Sequence, residues 1–183
     1  YFYTLFIQET DMKRILVTGS QGFIGRNLVG DGWDLKDGID LADEGWNYKG
    51  EKYDVVVHCA AELHDDKKMV RNNVLATERV IRYCLEWNAK LIHFSTVSIK
   101  GNSLYGIAKK MAEDLVRYFD PSGWVILRLT NVYGKGEGGT SPACRFEAGD
   151  NLIFGDGSHE KDHVHLRDVE KAVEMAIENN WTG

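Results

Sequence analysis

Three side chains near the middle of the chain have the types and the spacing for proton transfer. Tyr105 and Lys109 are four residues apart, so a helix would place them on one face. A free tyrosine has a pKa of about 10, and a neighbouring lysine cation would lower that pKa by favouring the phenolate. Thr96 ends an apolar run and could hydrogen-bond the same substrate oxygen. The set predicts acid/base catalysis, although Tyr-x-x-x-Lys pairs are also ordinary neighbours on surface helices.

A second group of residues has the pattern of a phosphate-binding turn. Gly19, Gly22 and Gly25 follow an apolar run at residues 13–18 and open a short helix predicted at residues 23–30. Gly19 allows a sharp turn, Gly22 leaves room for a pyrophosphate, and Gly25 allows the helix to pack closely. The first N–H groups of a helix lack internal partners and suit a phosphate. The pattern predicts a dinucleotide site, and the alternative is a glycine-rich turn without a ligand.

An acidic side chain is expected after the second strand, where it would bind the ribose hydroxyls of such a ligand. The second strand is predicted at residues 33–35, so close to the glycines that the helix or the strand must be very short, or part of the segment is missing. Asp34 is the best ribose candidate, and Asp37 and Asp40 are its rivals. A carboxylate here repels a 2′-phosphate, which favours NAD over NADP.

These residues lie on alternating strand-like and helix-like segments. Strand patterns occur at residues 13–18, 54–60, 90–96, 124–130 and 162–166, and helical periodicity occurs at residues 67–87, 104–119 and 167–180. The alternation predicts an α/β fold, a Rossmann-type doubly wound parallel sheet with helices on both faces. In that fold the loops at the carboxyl ends of the strands face the ligand, which would bring the glycines and Thr96 to one edge.

The composition is that of one folded domain, with or without a small appendage. The chain has 183 residues, of which 43% are apolar, and a net charge of −6. An acidic chain without a basic patch is not expected to bind nucleic acid or a membrane surface. Cys59, Cys84 and Cys144 form neither a zinc pattern nor a disulfide framework, so we expect no metal site and a reducing, cytoplasmic setting.

The start of the chain is expected to lie outside the main domain. Residues 1–11 are too short to span a bilayer and lack the basic start of a signal peptide. Met12 is a candidate natural start, and residues 1–11 are then an upstream extension, an expression remnant or an added edge strand. We expect a dinucleotide-binding domain at residues 12–134 and a partial substrate-binding region, with a returning strand and helix, at residues 135–183.

Six segments, in the same order along the chain, together resemble one known family. They are Thr-Gly-Ser-Gln-Gly-Phe-Ile-Gly at 18–25, Val-His-Cys-Ala-Ala at 57–61, Asn-Val-Leu-Ala-Thr at 73–77, Phe-Ser-Thr at 94–96 with Tyr105 and Lys109, Leu-Arg-Leu-Thr-Asn-Val-Tyr-Gly at 127–134, and residues 155–169. The chain resembles the extended short-chain dehydrogenases/reductases, specifically the NAD-dependent epimerase/dehydratase family acting on nucleotide sugars. The resemblance implies hydride transfer between a sugar carbon and a bound NAD, with NADP possible.

The resemblance also implies roles for individual residues. Tyr105 would be the acid/base, Lys109 would lower its pKa and hold a ribose, and Thr96 would orient the substrate hydroxyl. The residues expected to contact the cofactor are Gly19, Gln21, Gly22, Phe23, Ile24, Gly25, Asp34, Asp40, Leu41, Cys59, Ala60, Ala61, Asn73, Tyr105 and Lys109. The residues expected to contact the nucleotide-sugar substrate are Ser95, Thr96, Asn131 and Lys161. A homodimer is one option for the assembly.

The chain departs from the family's usual pattern in its substrate half. The connection from Thr96 to Tyr105 and the segment at residues 135–154 are short, and Lys161 stands where the family usually has arginine. Lysine cannot make the bidentate contact that arginine makes with a phosphate. We therefore expect a reduced or truncated C-terminal substrate lobe.

The residues after Thr96 bear on the type of reaction. Val97 and Ser98 stand where the dehydratase subgroup has Asp-Glu, which argues against 4,6-dehydration. The sequence favours an NAD(P)-dependent nucleotide-sugar epimerase or reductase. The alternative, from another functional class, is a non-catalytic dinucleotide-binding module of the same fold, either a sensor or a pseudoenzyme.

Overall fold

The structure, a computed structural model, describes residues 13–136, 149, 156, 158, 160–179, 181 and 182. The expectations for residues 1–11 and for Cys144 lie outside the described residues. In the described part of the chain, no helix is both long enough and apolar enough to cross a membrane.

Five parallel strands form the centre of the fold. They are β1 (Ile15–Thr18), β2 (Asp31–Trp33), β3 (Val55–His58), β4 (Lys90–Thr96) and β5 (Trp124–Leu129), in the spatial order β2-β1-β3-β4-β5. The chain therefore adds strands on one side of β1 and then changes direction between β1 and β3. Open parallel sheets bind ligands at such a switch point, beyond the carboxyl ends of the strands.

Helices cover both faces of this sheet. Helix α1 (Asp66–Val70) continues through a π-helical turn (Arg71–Leu75) into α2 (Ala76–Trp87), and α3 (Leu104–Phe119) and α4 (Leu166–Glu178) follow. A separate pair of parallel strands, β6 (Asn131–Tyr133) and β7 (His163–His165), lies between β5 and α4 in the chain.

The two faces of the sheet bury alternate residues of the same strands, as the strand period of two requires. One face packs against α2 and α3 and includes Leu16, Val56, Ile81, Leu91 and Val116. The other face packs against α4 and includes Val17, Val57, Ile92, Val169 and Val173. The predicted doubly wound parallel sheet is therefore confirmed.

Strand β4 and helix α3 have the predicted bounds. The Ser103 side chain caps α3 by accepting a hydrogen bond of 3.0 Å from the N–H of Gly106, and Asn88 ends α2 in the left-handed region at φ 57°. Strand β3 is shorter than predicted and ends at His58. Residues 59–61 therefore form a loop at the switch point.

The helix predicted at residues 23–30 is wrong. Only one 3-10 turn forms, at Gly25–Asn27, and Leu28 is already extended. Strand β2 begins at Asp31 and must run parallel to β1, so the chain has to return across the sheet within the same short connection. A parallel crossover normally takes a dozen residues or more, so the connection at residues 19–30 is at the lower limit of length. The glycine turn and the return leg together leave no length for a helix.

Candidate active site

Two adjoining cavities lie at the carboxyl edge of the sheet. The larger, of about 490 Å³, extends towards β4, α3 and β5. The smaller, of about 240 Å³, extends towards β2 and towards Asn72 and Ala76, where the π-helical turn passes into α2. Gly19, Gly22, Cys59 and Ala61 line both cavities. The glycine turn is therefore the bridge between two halves of one cleft.

Two of the three glycines are required by the protein's own packing. Gly19 has a φ of 67°, and a Cβ there would lie 2.7 Å from the backbone nitrogen of Ala60. A Cβ on Gly25 would clash with the backbone oxygen of Gly19. At Gly22 the nearest atom to a Cβ is again the oxygen of Gly19, at 3.1 Å, and φ is not positive. A Cβ at Gly22 would therefore be tight against this one backbone oxygen, and the rest of the space beside Gly22 is open.

The backbone beside this open space suits an anion. In the described part of the chain, the N–H groups of Phe23 and Ile24 have no hydrogen-bond partner, and both residues line the larger cavity. Gly22 itself donates to the oxygen of Gly19 over 3.0 Å, which completes the turn. Free amides next to a missing side chain fit a pyrophosphate, even though a single 3-10 turn replaces the expected helix.

The acidic residues of the smaller cavity differ in their hydrogen bonds. The two oxygens of Asp34 accept from the N–H of Gln21 at 2.9 Å and of Lys36 at 3.0 Å. Asp34 therefore ties the glycine turn to the end of β2 and also lines the cavity. Asp37, its rival, accepts from the Gln21 side chain at 2.6 Å and is not among the lining residues.

Asp40 and Leu41, which were both expected to contact the cofactor, line the smaller cavity. The Asp40 carboxylate accepts from Arg71 at 2.8 Å and from the N–H of Ala42 at 2.9 Å. Partial burial acts to raise the pKa of Asp40, but these hydrogen bonds outweigh it and the pKa is lowered. The ionised group forms an ion pair with Arg71 of the π-helical turn.

The three predicted catalytic residues line the larger cavity together. Thr96 ends β4, and Tyr105 and Lys109 lie on the first two turns of α3. The Thr96 oxygen accepts from the N–H of Ser98 at 3.1 Å, which leaves its proton free for donation. The short connection between Thr96 and Tyr105 packs closely against the start of α3 at Gly106, where a Cβ would clash with the backbone oxygen of Ser98.

The charges in this cavity differ from the expectation. Burial raises the pKa of Tyr105, so the expected lowering by Lys109 is not found. Burial lowers the pKa of Lys109 to about 8, while Cys59 and Glu113 act in the opposite direction. With the cleft in this state the phenol is protonated at neutral pH, because desolvation disfavours the phenolate.

Glu113 is a member of this site that sequence reasoning missed. It follows Lys109 by one helical turn and is fully buried. Arg128 holds its carboxylate with two hydrogen bonds of 2.8 and 2.7 Å, and Arg117 adds one of 2.9 Å. Burial acts to raise the pKa of Glu113, but side-chain hydrogen bonds, those of Arg128 and Arg117 among them, outweigh it and hold the pKa at about 2. An acidic residue on the otherwise buried face of α3 was the available signal.

The remaining candidate residues differ in whether they line a cavity. Cys59, Ser95 and Asn131 line the larger cavity, and the N–H₂ of Asn131 donates to the oxygen of Asp162 over 3.2 Å. Ala60 lines the smaller cavity. Lys161 is exposed and is not among the lining residues of either cavity.

Asn73 is buried, and it is not among the described residues that line either cavity. Its side chain accepts from the N–H of Glu62 at 3.0 Å and donates to the oxygen of Glu62 at 2.8 Å. The amide group of Asn73 therefore fixes the loop after β3, whose residue Glu62 lines the smaller cavity, without lining the cavity itself.

Comparison with known proteins gives related results by sequence and by structure. Residues 38–183 match the model of the NAD dependent epimerase/dehydratase family, a range that begins after the glycine turn. A putative UDP-glucose 4-epimerase of Methanocaldococcus jannaschii is 28% identical in an alignment 230 positions long, which spans 91% of this chain and 73% of that protein. The match to the family thus rests on most of the chain and not on the glycines.

Solved structures share the fold at low sequence identity. WbmG of Bordetella bronchiseptica in complex with NAD has a TM-score of 0.78 at 20% identity and covers 97% of this chain and 73% of its own. A second structure of WbmG is in complex with NAD and UDP. The dTDP-4-dehydrorhamnose reductase of Bacillus anthracis in complex with NADP has a TM-score of 0.72 at 18% identity and covers 94% of this chain and 73% of its own. The family match, the fold and the cleft agree: this chain belongs to the NAD dependent epimerase/dehydratase family.

Proposed function

We propose that the chain is an NAD-dependent epimerase or reductase of nucleotide sugars, with Tyr105 as its acid/base. The observation that carries the proposal is the joining of the glycine turn and of Thr96, Tyr105 and Lys109 in one cleft. The family assignment supports the reaction class. The relatives named as a UDP-glucose 4-epimerase and a dTDP-4-dehydrorhamnose reductase support the substrate class.

The cleft has places for the parts of a dinucleotide. The open space at Gly22 and the free amides of Phe23 and Ile24 would hold the pyrophosphate. Asp34 and Asp40 would hold the adenosine half in the smaller cavity. Asp34 favours NAD, because its carboxylate repels a 2′-phosphate, although a structure of one relative contains NADP. When bound, the nicotinamide ring supplies a hydride acceptor or donor.

The proposed residues divide the proton chemistry among them. Tyr105, whose phenol is protonated in the present state, donates its proton to a sugar oxygen in the reductive direction and recovers one in the oxidative direction. The Thr96 hydroxyl donates to the same oxygen and orients it. Lys109 holds a positive charge behind Tyr105, because Glu113 opposes the effect of burial on its pKa.

The same residues favour a two-part organisation of the chain. We place the dinucleotide-binding domain at residues 12–134 and a partial substrate-binding region at residues 135–183. The β6–β7 pair and Asn131 lie where the two meet, next to the larger cavity. The sugar-nucleotide is expected to enter from this side.

A panel of UDP-, dTDP- and GDP-linked sugars, incubated with the protein and NAD(H) and followed by NMR of the products, tests the proposal. Conversion of at least one sugar, with no conversion by Tyr105→Phe, is the expected result. Binding of NAD(H) with no conversion of any sugar would contradict it. That outcome would favour the non-catalytic dinucleotide-binding module, which the short connections around Thr96 and Gly25 also suit.

A further inference from the structure

A buried histidine, His58, lies at the end of β3 directly beneath the cleft. It is fully buried, and both of its ring nitrogens have hydrogen-bond partners. Nδ1 lies 2.6 Å from Oγ1 of Thr18 on β1, and Nε2 lies 2.9 Å from Oγ1 of Thr77 on α2. Burial lowers the pKa of His58 to about 3, so the ring is neutral at physiological pH.

The neighbours of His58 determine which nitrogen carries the proton. The Thr77 hydroxyl donates to the backbone oxygen of Asn73 over 2.8 Å, so its oxygen must accept from Nε2–H of His58. Nδ1 then has a lone pair and accepts from the Thr18 hydroxyl. The Thr18 oxygen in turn accepts from the N–H of Ala60 at 3.4 Å. Each hydroxyl thus has one donor role and one acceptor role.

These contacts join the segments that shape the cleft. Thr18 precedes the glycine turn, and Ala60 begins the loop that packs against Gly19. Asn73 belongs to the π-helical turn, and its side chain binds both backbone groups of Glu62 in that same loop. We name Thr18, His58, Asn73 and Thr77 the His58 network.

His93 provides a natural contrast. It is the residue opposite His58 on β4, its ring stacks on that of His58 with centroids 5.5 Å apart, and it is equally buried. Neither of its ring nitrogens has a partner among the described residues. Burial of an imidazole at this level of the sheet therefore does not by itself create the network.

We propose that His58 is a positioning residue for the cofactor, because its Nε2–H tautomer holds the glycine turn, the loop after β3 and the π-helical turn in the arrangement that forms the cleft. The inference rests on the proposed function, in which this cleft binds NAD(H). Every contact involved lies behind the cleft, so His58 acts through the backbone of these three segments and not by touching the ligand.

Two matched substitutions separate this role from general packing. His58→Phe removes both hydrogen bonds, and His93→Phe makes the same change one strand away, where no hydrogen bond is lost. We expect His58→Phe to raise the Kd of NAD(H) about 10-fold or more in the folded protein, equal to about 1.4 kcal/mol. We expect His93→Phe to leave the Kd within about 2-fold. Equal Kd values for the two variants would overturn the proposal.

Thr77→Val tests the network without changing the histidine, and it decides the matter if His58→Phe does not fold. It should also raise the Kd. In the double variant it should add less than its full effect to that of His58→Phe, since both substitutions remove the hydrogen bond between His58 and Thr77. The ¹⁵N shifts of the His58 ring give a readout independent of the ligand and should report the Nε2–H tautomer. The Nδ1–H tautomer would contradict the network. If the unsubstituted protein binds no NAD(H) but shows Nε2–H, the proposed function fails while the network stands.

Discussion

Among single residues, Gly22 is the glycine of the turn that the packing of the fold explains least and a bound phosphate would explain best. The chain itself forbids a Cβ at Gly19 and Gly25, whereas at Gly22 a Cβ would meet only one backbone oxygen at 3.1 Å. The packing of the fold thus excludes a side chain at Gly19 and Gly25 and crowds Gly22 much less. Gly22 is the position where a phosphate would approach the main chain.

Gly22→Val should therefore weaken NAD(H) binding much more than it destabilises the protein. We expect the Kd, measured by calorimetry, to rise at least about 100-fold, which is about 2.8 kcal/mol. Gly25→Ala is the matched control and should lower the melting temperature, because its Cβ clashes with the Gly19 oxygen. Unchanged affinity in Gly22→Val would show that the pyrophosphate lies elsewhere.

The two buried histidines make stability depend on pH. Burial lowers the pKa of His58 to about 3 and holds that of His93 well below its usual value of 6.5. The unfolded chain then binds more protons than the folded one. The contribution of the two histidines to the free energy of unfolding is therefore complete above pH 6.5 and is lost as the pH falls. Each histidine can contribute up to about 1.4 kcal/mol per pH unit in this range.

His93→Phe should reduce this pH dependence by about half between pH 6.5 and 4.5. At pH 8 we expect it to be neutral or stabilising, because it removes two buried ring nitrogens that have no partner among the described residues. Urea unfolding at several pH values measures both effects. A slope equal to that of the unsubstituted protein would contradict this account of His93.

At the scale of elements, two lysines bind the carboxyl end of α4 to the sheet through hydrogen bonds. The Lys90 ammonium on β4 donates to the backbone oxygens of Ala176 and Asn179, each at 2.6 Å, and the Lys13 ammonium donates to that of Ile177 at 2.8 Å. These carbonyls lie at the negative end of the helix dipole and have no partner within the helix. The two cations therefore satisfy α4 at the edge of the sheet opposite to the cleft.

Lys90→Met should lower the free energy of unfolding by about 1–2 kcal/mol, because it leaves two carbonyl oxygens without this donor. Lys171→Met is the control, since Lys171 is exposed on α4 itself. Chemical denaturation of both variants measures the difference. A cost for Lys171→Met as large as that for Lys90→Met would contradict the capping role.

Local patterns predicted some elements well and missed others for physical reasons. The bounds of α3 follow from the Ser103 cap and a helical period, which are properties of neighbouring residues. The helix at residues 23–30 was wrongly predicted because the geometry of the β1–β2 crossover, and not local propensity, limits its length. Arg128, which binds Glu113, and the two threonines that bind His58 lie on other strands and helices, so no local sequence pattern predicts these contacts.

For the whole molecule, the topology is what brings the parts of the site together. Five parallel strands end at one edge, the direction of the sheet changes between β1 and β3, and the cleft spans this change. The glycine turn and Thr96 were predicted to lie at this edge, and they line the larger cavity together with Tyr105. The fold, the family and the position of the cleft therefore agree with the proposed site.

The central claim is that Tyr105 transfers the proton in a reaction on a nucleotide sugar. The most direct test compares kcat/KM for the converted sugar with the Kd of NAD(H) in Tyr105→Phe. We expect kcat/KM to fall by about 10²–10⁴-fold, as for a lost general acid/base, with the Kd nearly unchanged. Tyr118→Phe, on the same helix but exposed, should behave like the unsubstituted protein. Full activity in Tyr105→Phe would contradict the catalytic assignment.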